Sequence, residues 1–239
     1  MLFSLLSSGD FRTALISILL TLPTILIALS FHEAAHGYVA YKMGDRTAYN
    51  LGRVTFNPIK HLDPIGALFM LVFGYGWAKP VPINTRNFDN PKKGMALTAL
   101  AGPLTNLILG IIGVFFCTLT VFVANTPAVR GAMYENEMVY NLMQMCYLFF
   151  YYFASINLLY TVFNMIPLPP FDGSRIATLF LPTRVYFKIM QYERYSLLIV
   201  LGISIVCSRV FNFSPFAWLA DKLFDLISLP IYFLFNLIF

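Results

Sequence analysis

Three ionisable residues, His32, Glu33 and His36, lie together in the segment HEAAH. Histidines four residues apart project from one face of an α-helix, so both imidazole rings can bind the same zinc ion. The glutamate between them is placed to act as a general base toward a water molecule that the metal activates. This spacing therefore predicts a zinc centre with hydrolytic chemistry.

A five-residue pattern with three fixed positions also arises by chance. Chance is a poor explanation here, because the apolar stretch 12–31 precedes the motif and places it at the end of a membrane helix. A charged side chain near the centre of a bilayer costs about 2.5–3.5 kcal/mol, so ionisable groups in such helices are taken as functional by default. We therefore expect His32 and His36 to be metal ligands and Glu33 to be catalytic.

A catalytic zinc ion needs a third protein ligand and one open position. Lys42 occupies the position at which a third histidine would extend the motif, and Glu135 and Glu137 lie in a connection expected on the other side of the membrane. His61 and Asp172 remain as candidates. Asp172 is favoured, because it follows the proline-broken segment IPLPPF and begins a predicted helix, whose N-terminus favours an ionised carboxylate. An ordinary helix N-cap is the competing interpretation of Asp172.

The composition places these residues in a membrane protein. Of the 239 residues, 59% are hydrophobic and 11% are charged, and the mean hydropathy is +0.72. Soluble domains contain about 45–50% apolar and about 25% charged residues. We therefore expect an all-α polytopic membrane protein with four to six transmembrane helices in a single domain, 1–239. Its core covers about 12–182, and its C-terminal helices cover about 195–239.

Long apolar stretches mark the individual spans. The dozen residues of 64–75 are too few to cross a bilayer upright, which takes about 20 residues. They predict a re-entrant segment, and a short tilted span is the alternative. The segment 215–239 carries charges in its first half and is either a span or a surface helix. The remaining spans are predicted at about 11–43, 94–124, 141–166 and 195–211.

Turn-forming and β-forming residues fill the connection that follows the motif. Residues 47–60, TAYNLGRVTFNPIK, predict a short membrane-associated β-hairpin near the metal centre. It could pair with 77–84, WAKPVPIN, and both segments could pair with an unwound substrate by strand addition.

Basic residues are concentrated in two connections, 42–93 and 175–194, whereas 125–140 contains only Arg130. Cytoplasmic loops of membrane proteins are enriched in lysine and arginine. This rule predicts that the first two connections are cytoplasmic and that the third is external. Because orientation already explains the basic residues, no nucleic-acid partner is expected.

Three motifs in this order resemble the site-2 protease family of intramembrane zinc metalloproteases, over about residues 12–182. They are HEAAH, ALAGPLTN at 99–106 and NMIPLPPFDG at 164–173. The segments NPIKHLDPIG and WAKPVPIN resemble the compact bacterial branch of that family, which lacks PDZ and CBS domains. The resemblance implies Zn²⁺ held by His32, His36 and Asp172, with Glu33 as the general base. It also implies a multi-pass protein of the bacterial inner (plasma) membrane, with its active site toward the cytoplasm.

Two asparagines, Asn106 and Asn164, match asparagines of the family motifs. Either amide could donate a hydrogen bond to a developing oxyanion, which makes both candidates for catalysis. The competing interpretation is a hydrogen bond between membrane helices. It is favoured for Asn106, and the two interpretations are balanced for Asn164. For His61, a bond to a backbone carbonyl is favoured over a role as metal ligand.

The predicted reaction is hydrolysis of peptide bonds in transmembrane or membrane-associated protein substrates, within or beside the lipid bilayer. The main alternative is a non-proteolytic membrane zinc-binding protein or regulator. A membrane-anchored protease acting on soluble proteins would need a hydrophilic domain after HEAAH. A zinc transporter would need acidic or histidine residues along a path through several spans, and this sequence has one such cluster. The sequence leaves open whether the protein forms a homo-oligomer.

Overall fold

The computed structural model of the chain describes residues 11–66, 78–182, 184, 185, 188, 191 and 193–238. This part of the chain is largely helical, with two short 3-10 turns at Pro58–Lys60 and Thr85–Asn87. The α-helices are α1 (Phe11–Lys42), α2 (Thr47–Asn50), α3 (Pro91–Asn125), α4 (Pro127–Glu135), α5 (Glu137–Asn164), α6 (Asp172–Ala177), α7 (Glu193–Phe211) and α8 (Pro215–Ile238).

Three helices, α1, α3 and α5, are long and apolar enough to cross a membrane. Helices α7 and α8 meet at a bend of 85° and together count as at most one further span. The described residues thus contain three or four candidate spans, at or below the lower end of the predicted four to six. The difference arises at the C-terminal end, where the sequence predicts a span at 195–211 and either a span or a surface helix at 215–239, whereas the structure bends the two helices sharply against each other. The predicted re-entrant segment 64–75 lies mostly outside the described residues.

Small residues bring α3 and α5 into backbone contact. A Cβ atom at Gly110 would lie 2.6 Å from Cδ2 of Leu158, and one at Gly113 would lie 2.8 Å from the backbone nitrogen of Ala154. Lipid tails are as apolar as the helices, so association in a membrane depends on such close packing. The same interface buries Val114, Ala154 and Leu158 completely, which fixes α5 beside α3.

The predicted hairpin at 47–60 is absent from this part of the structure, which forms α2 and a 3-10 turn instead. Local bonds explain the difference. Gly52, with a φ of +62°, turns the chain after α2, and the side chain of Asn57 accepts from the N–H of Ile59 to begin the 3-10 turn. The extended pairing that remains among the described residues is a single antiparallel bridge between Leu62 and Ala78.

A buried carboxylate ties residues 78–87, which we call the strap, to the end of α1. Asp45 is fully buried and accepts hydrogen bonds from Thr47, from the backbone of Asn84 at 2.7 Å and from Nδ2 of Asn87 at 2.7 Å. Burial alone raises the pKa of Asp45, but these hydrogen bonds outweigh it and hold the pKa below its ordinary value. The carboxylate therefore stays ionised and keeps the strap beside α1.

The charge distribution and the helix order together generate a prediction about orientation. In an otherwise cysteine-free background, we expect a membrane-impermeant thiol reagent to label Tyr134→Cys on intact cells. Ile59→Cys and Arg86→Cys should be labelled only after permeabilisation, because their connections carry the excess of basic residues. All three positions are exposed in the structure, so access to the reagent is not limited by packing. Labelling of position 86 on intact cells would contradict this orientation.

Candidate metal centre

Three side chains from α1 and α6 converge on one point. The Oδ2 atom of Asp172 lies 3.1 Å from Nε2 of His32 and 3.2 Å from Nε2 of His36, and the two Nε2 atoms are 3.0 Å apart. Among the described residues, this is the one cluster of three or more histidine, cysteine or acidic side chains able to hold a metal ion. The structure therefore brings together the three ligands that the sequence predicted.

The spacing of the three atoms fits a zinc ion. Nitrogen and oxygen ligands lie about 2.0–2.1 Å from zinc, and tetrahedral geometry then separates the ligand atoms by about 3.3–3.4 Å. The observed separations of 3.0–3.2 Å are close to this value. Three protein ligands are also the number found in catalytic zinc sites, where a fourth position is left for water or substrate.

The protonation of both rings supports the same conclusion. Nδ1 of His36 lies 2.7 Å from the carbonyl oxygen of Thr98, which can only accept, so the ring proton is on Nδ1. Nδ1 of His32 lies 2.5 Å from Oδ1 of Asn106 and donates in the same way. The Nε2 atom of each ring is then the atom left to bind a metal beside Asp172. Two ring nitrogens and a carboxylate oxygen this close together are stabilised by a cation between them, either a proton or a metal ion.

Asp172 is the first residue of α6, but its carboxylate does not cap that helix. The N-cap position belongs to Phe171, and no side chain accepts a capping bond there. The N-cap interpretation of Asp172 is therefore wrong. The next residue explains how the carboxylate is held in place: a Cβ atom at Gly173 would lie 2.5 Å from the carbonyl oxygens of Met165 and Ile166. Glycine thus allows α6 to pack directly against the end of α5.

Helix α3 supplies the wall behind the two histidines. A Cβ atom at Gly102 would lie 2.5 Å from Nε2 of His36 and 2.5 Å from Cε1 of His32, so only glycine fits there without displacing a ring. Pro103 follows and removes one backbone donor from the helix. Sequence reasoning missed Gly102 and Thr98. A glycine within an apolar span was the available signal, because small residues mark close contacts between membrane helices.

Glu33 lies on α1 between the two ligands but outside the group of ligand atoms. Its Oε2 atom accepts a hydrogen bond of 2.8 Å from the backbone N–H of Val81, in the strap. Arg53 holds the same part of the strap by donating to the carbonyl of Lys79 at 2.7 Å. The half-buried Glu33 carboxylate is thereby oriented by a segment far away in sequence, a contact that the sequence did not indicate.

Both hydrogens on the amide nitrogen of Asn106 are used within the protein. One is donated to the carbonyl of Ala28 at 3.2 Å and the other to Oδ1 of Asn157 at 2.9 Å, while its oxygen accepts from His32. This geometry favours the helix-to-helix interpretation of Asn106. Its role as an oxyanion donor stays a prediction.

Asn164 and His61 make contacts away from the three ligand atoms. Nδ2 of Asn164 donates to the carbonyl of Tyr160, in its own helix, at 3.1 Å, and its catalytic role stays a prediction. Nε2 of His61 lies 2.8 Å from the carbonyl oxygen of Thr55. This bond confirms the favoured interpretation of His61 as a loop histidine that is bonded to the backbone.

Helices able to cross a membrane, together with a His-His-Asp group beside a glutamate, define the class of membrane metalloproteases. Comparison with known families gives the same answer: residues 20–207 match Peptidase family M50. The chain belongs to this family, the site-2 proteases, and the family expected from the three motifs is confirmed.

Three relatives are named "putative zinc metalloprotease". YwhC of Bacillus subtilis is 42% identical over 178 residues, which cover 74% of this chain and 76% of the relative. MJ0611 of Methanocaldococcus jannaschii is 29% identical over 61% of this chain and 62% of its own length. Rip2 of Mycolicibacterium smegmatis is 30% identical over 36% of this chain and 35% of its own length. No solved structure matches the chain.

The contact between α3 and the histidines can be tested by one added methyl group. We expect Gly102→Ala to weaken zinc binding by about 10- to 100-fold, the range found when groups that orient metal ligands are altered. The matched control is Gly202→Ala, because a Cβ atom there would meet no other atom within 4 Å. Affinity can be measured by competition with a chelator. Equal zinc affinities for the two variants would show that α3 does not shape the site.

Proposed function

We propose that this protein hydrolyses peptide bonds of transmembrane or membrane-associated proteins. The metal site of His32, His36 and Asp172 would hold Zn²⁺, and Glu33 would act as the general base. The observation that carries the proposal is the convergence of three possible ligand atoms, from His32, His36 and Asp172, beside a glutamate on the same helix as the histidines. When bound, zinc supplies the acidity that activates water near pH 7 and polarises a carbonyl group.

The hydrogen bonding of Glu33 suits a general base. Oε2 is fixed by the N–H of Val81, and Oε1 has no hydrogen-bond partner among the described residues. One oxygen thus holds the side chain in position while the other is available to accept a proton from water. A base must lie within hydrogen-bond reach of the proton that it removes. The strap contributes to the reaction by fixing where that oxygen points.

A cavity beside the metal-binding turn of α1 supports an apolar substrate. It has a volume of about 650 Å³, and Phe31, Ala34 and Tyr38 line its α1 side. Val54 and Phe56 form the opposite side, with the Phe31 and Phe56 rings stacked at 4.2 Å. Because the cavity wall is mainly aliphatic and aromatic, it suits a peptide from within a membrane better than a soluble, charged one.

Several backbone N–H groups of the strap are already bonded within the protein. Strand addition requires free backbone N–H and C=O groups. The N–H groups of Lys79, Val81 and Asn84 already bond to His61, Glu33 and Asp45. Positions 80 and 82 are prolines and have no N–H group. These bonds make the strap a support for Glu33, and its pairing with a substrate strand stays a prediction.

We further propose that the metal centre faces the cytoplasmic side of a bacterial plasma membrane. The histidines lie in the last third of α1, and Thr98 and Asp172 belong to the ends of elements that meet there. The basic connections 42–93 and 175–194 adjoin this end, whereas α4 adjoins the other. A cytoplasmic opening would also provide water for hydrolysis.

Replacement of Glu33 by glutamine tests the proposal. Glutamine keeps the oxygen that accepts from Val81 but cannot take a proton, so zinc content should be unchanged while cleavage falls by about 10²- to 10⁴-fold. Glu137→Gln, at the far end of α5, is the matched control. Fragments of membrane proteins can be compared by mass spectrometry in cells carrying each variant. Identical fragments with wild type and Glu33→Gln would indicate a non-proteolytic protein.

A further inference from the structure

A chain of buried side-chain amides connects helix α5 to the metal centre. Nδ2 of Asn157 donates to the carbonyl of Phe153 at 2.8 Å, and Nδ2 of Asn106 donates to Oδ1 of Asn157 at 2.9 Å. Oδ1 of Asn106 then accepts from Nδ1 of His32 at 2.5 Å. Asn106 and Asn157 are both fully buried, so water does not compete for these bonds.

The direction of every bond in this chain is fixed by its ends. The carbonyl of Phe153 can only accept, so Asn157 turns its nitrogen toward Phe153 and its oxygen toward Asn106. Asn106 must then present nitrogen to Asn157, and its other N–H, donated to the carbonyl of Ala28 at 3.2 Å, supports the same orientation. This leaves the Asn106 oxygen for His32. If the Asn106 amide turned over, its N–H groups would face Nδ1 of His32. The ring proton would move to Nε2, and a protonated Nε2 cannot bind a metal.

We propose that Asn157 is a positioning residue of the metal centre. Together with the carbonyl of Ala28, it fixes the orientation of the Asn106 amide, and through that amide it keeps the His32 ring in the form that binds metal. The inference rests on the zinc site of the proposed function. Asn157 contacts none of the three ligands itself, and no sequence motif identified it. It lies two hydrogen bonds from His32, on the helix that precedes the Asp172 segment.

The competing explanation is that Asn157 only attaches α5 to α3, as polar residues in membrane helices do. The structure offers a matched control for that explanation. Thr161 lies one turn further along α5 and is 7% exposed. Its hydroxyl lies 3.3 Å from the carbonyl of Pro103 in α3 and 3.0 Å from the backbone carbonyl of Asn157. It joins the same two helices but has no bond to Asn106 or to a metal ligand. Thr161→Val removes this attachment and leaves the amide chain intact.

The experiment compares zinc affinity with stability in the full-length protein. Asn157→Leu, Asn157→Asp and Thr161→Val would be purified in detergent and stripped of metal, and zinc affinity would be measured by competition with a chelator. Thermal unfolding of the metal-free proteins reports the loss of helix packing. We expect Asn157→Leu to bind zinc about tenfold more weakly, the lower end of the effect for groups that orient metal ligands. Thr161→Val should bind zinc as wild type does, whatever its thermal stability.

Asn157→Asp separates orientation from packing. Its carboxylate still offers an oxygen to Asn106, so we expect its zinc affinity to return to within about threefold of wild type. The proposal is overturned if Asn157→Leu and Thr161→Val bind zinc equally well. Should Asn157→Leu not fold, Asn157→Ala removes the same bonds without placing a branched side chain in the site and is judged by the same comparison. A wild-type protein that binds zinc but cleaves no membrane protein would remove the proposed function and leave this inference standing.

Discussion

The structure depends on keeping three possible metal-ligand atoms together inside a bundle of apolar helices. The Nε2 atoms of His32 and His36 lie 3.0 Å apart, and a carboxylate oxygen of Asp172 lies 3.1–3.2 Å from each of them. No single element can produce this arrangement. Helix α1 supplies two ligands, α6 supplies the third, and α3 fixes both rings through Thr98 and Asn106. The chain therefore has to bring helices distant in sequence to within backbone contact.

Close packing brings the helices together, and buried hydrogen bonds orient the side chains between them. Glycines at 102, 110, 113 and 173 allow neighbouring helices to approach until a Cβ atom would not fit. Hydrogen bonds between membrane helices contribute only about 0.6 kcal/mol on average. The amide chain through Asn106 and Asn157 is thus too weak to hold the bundle together by itself. Its main value lies in direction, because it determines which nitrogen of His32 faces the metal.

Local patterns in the sequence predicted the parts of the site that depend on local geometry. The spacing of His32 and His36 fixes their common face, and long apolar stretches placed α1, α3 and α5 within a few residues of their observed ends. The contacts of Gly102, Val81 and Asn157 join residues far apart in the chain, and no spacing rule reveals them. The prediction of a hairpin at 47–60 was wrong for a related reason. It rested on the β-forming residues of this segment, whereas Gly52 and Asn57 form local turns there.

The identity of the third ligand is tested most directly by the zinc content of purified protein, measured by elemental analysis. His61 and Asp172 were the two candidates that the sequence left, and the structure places only Asp172 beside the histidines. We predict about one zinc ion per chain in wild type and in His61→Ala, since one catalytic site binds one ion. Asp172→Ala should lose most of the bound zinc. Full zinc in Asp172→Ala, with loss in His61→Ala, would contradict the metal centre described by the structure.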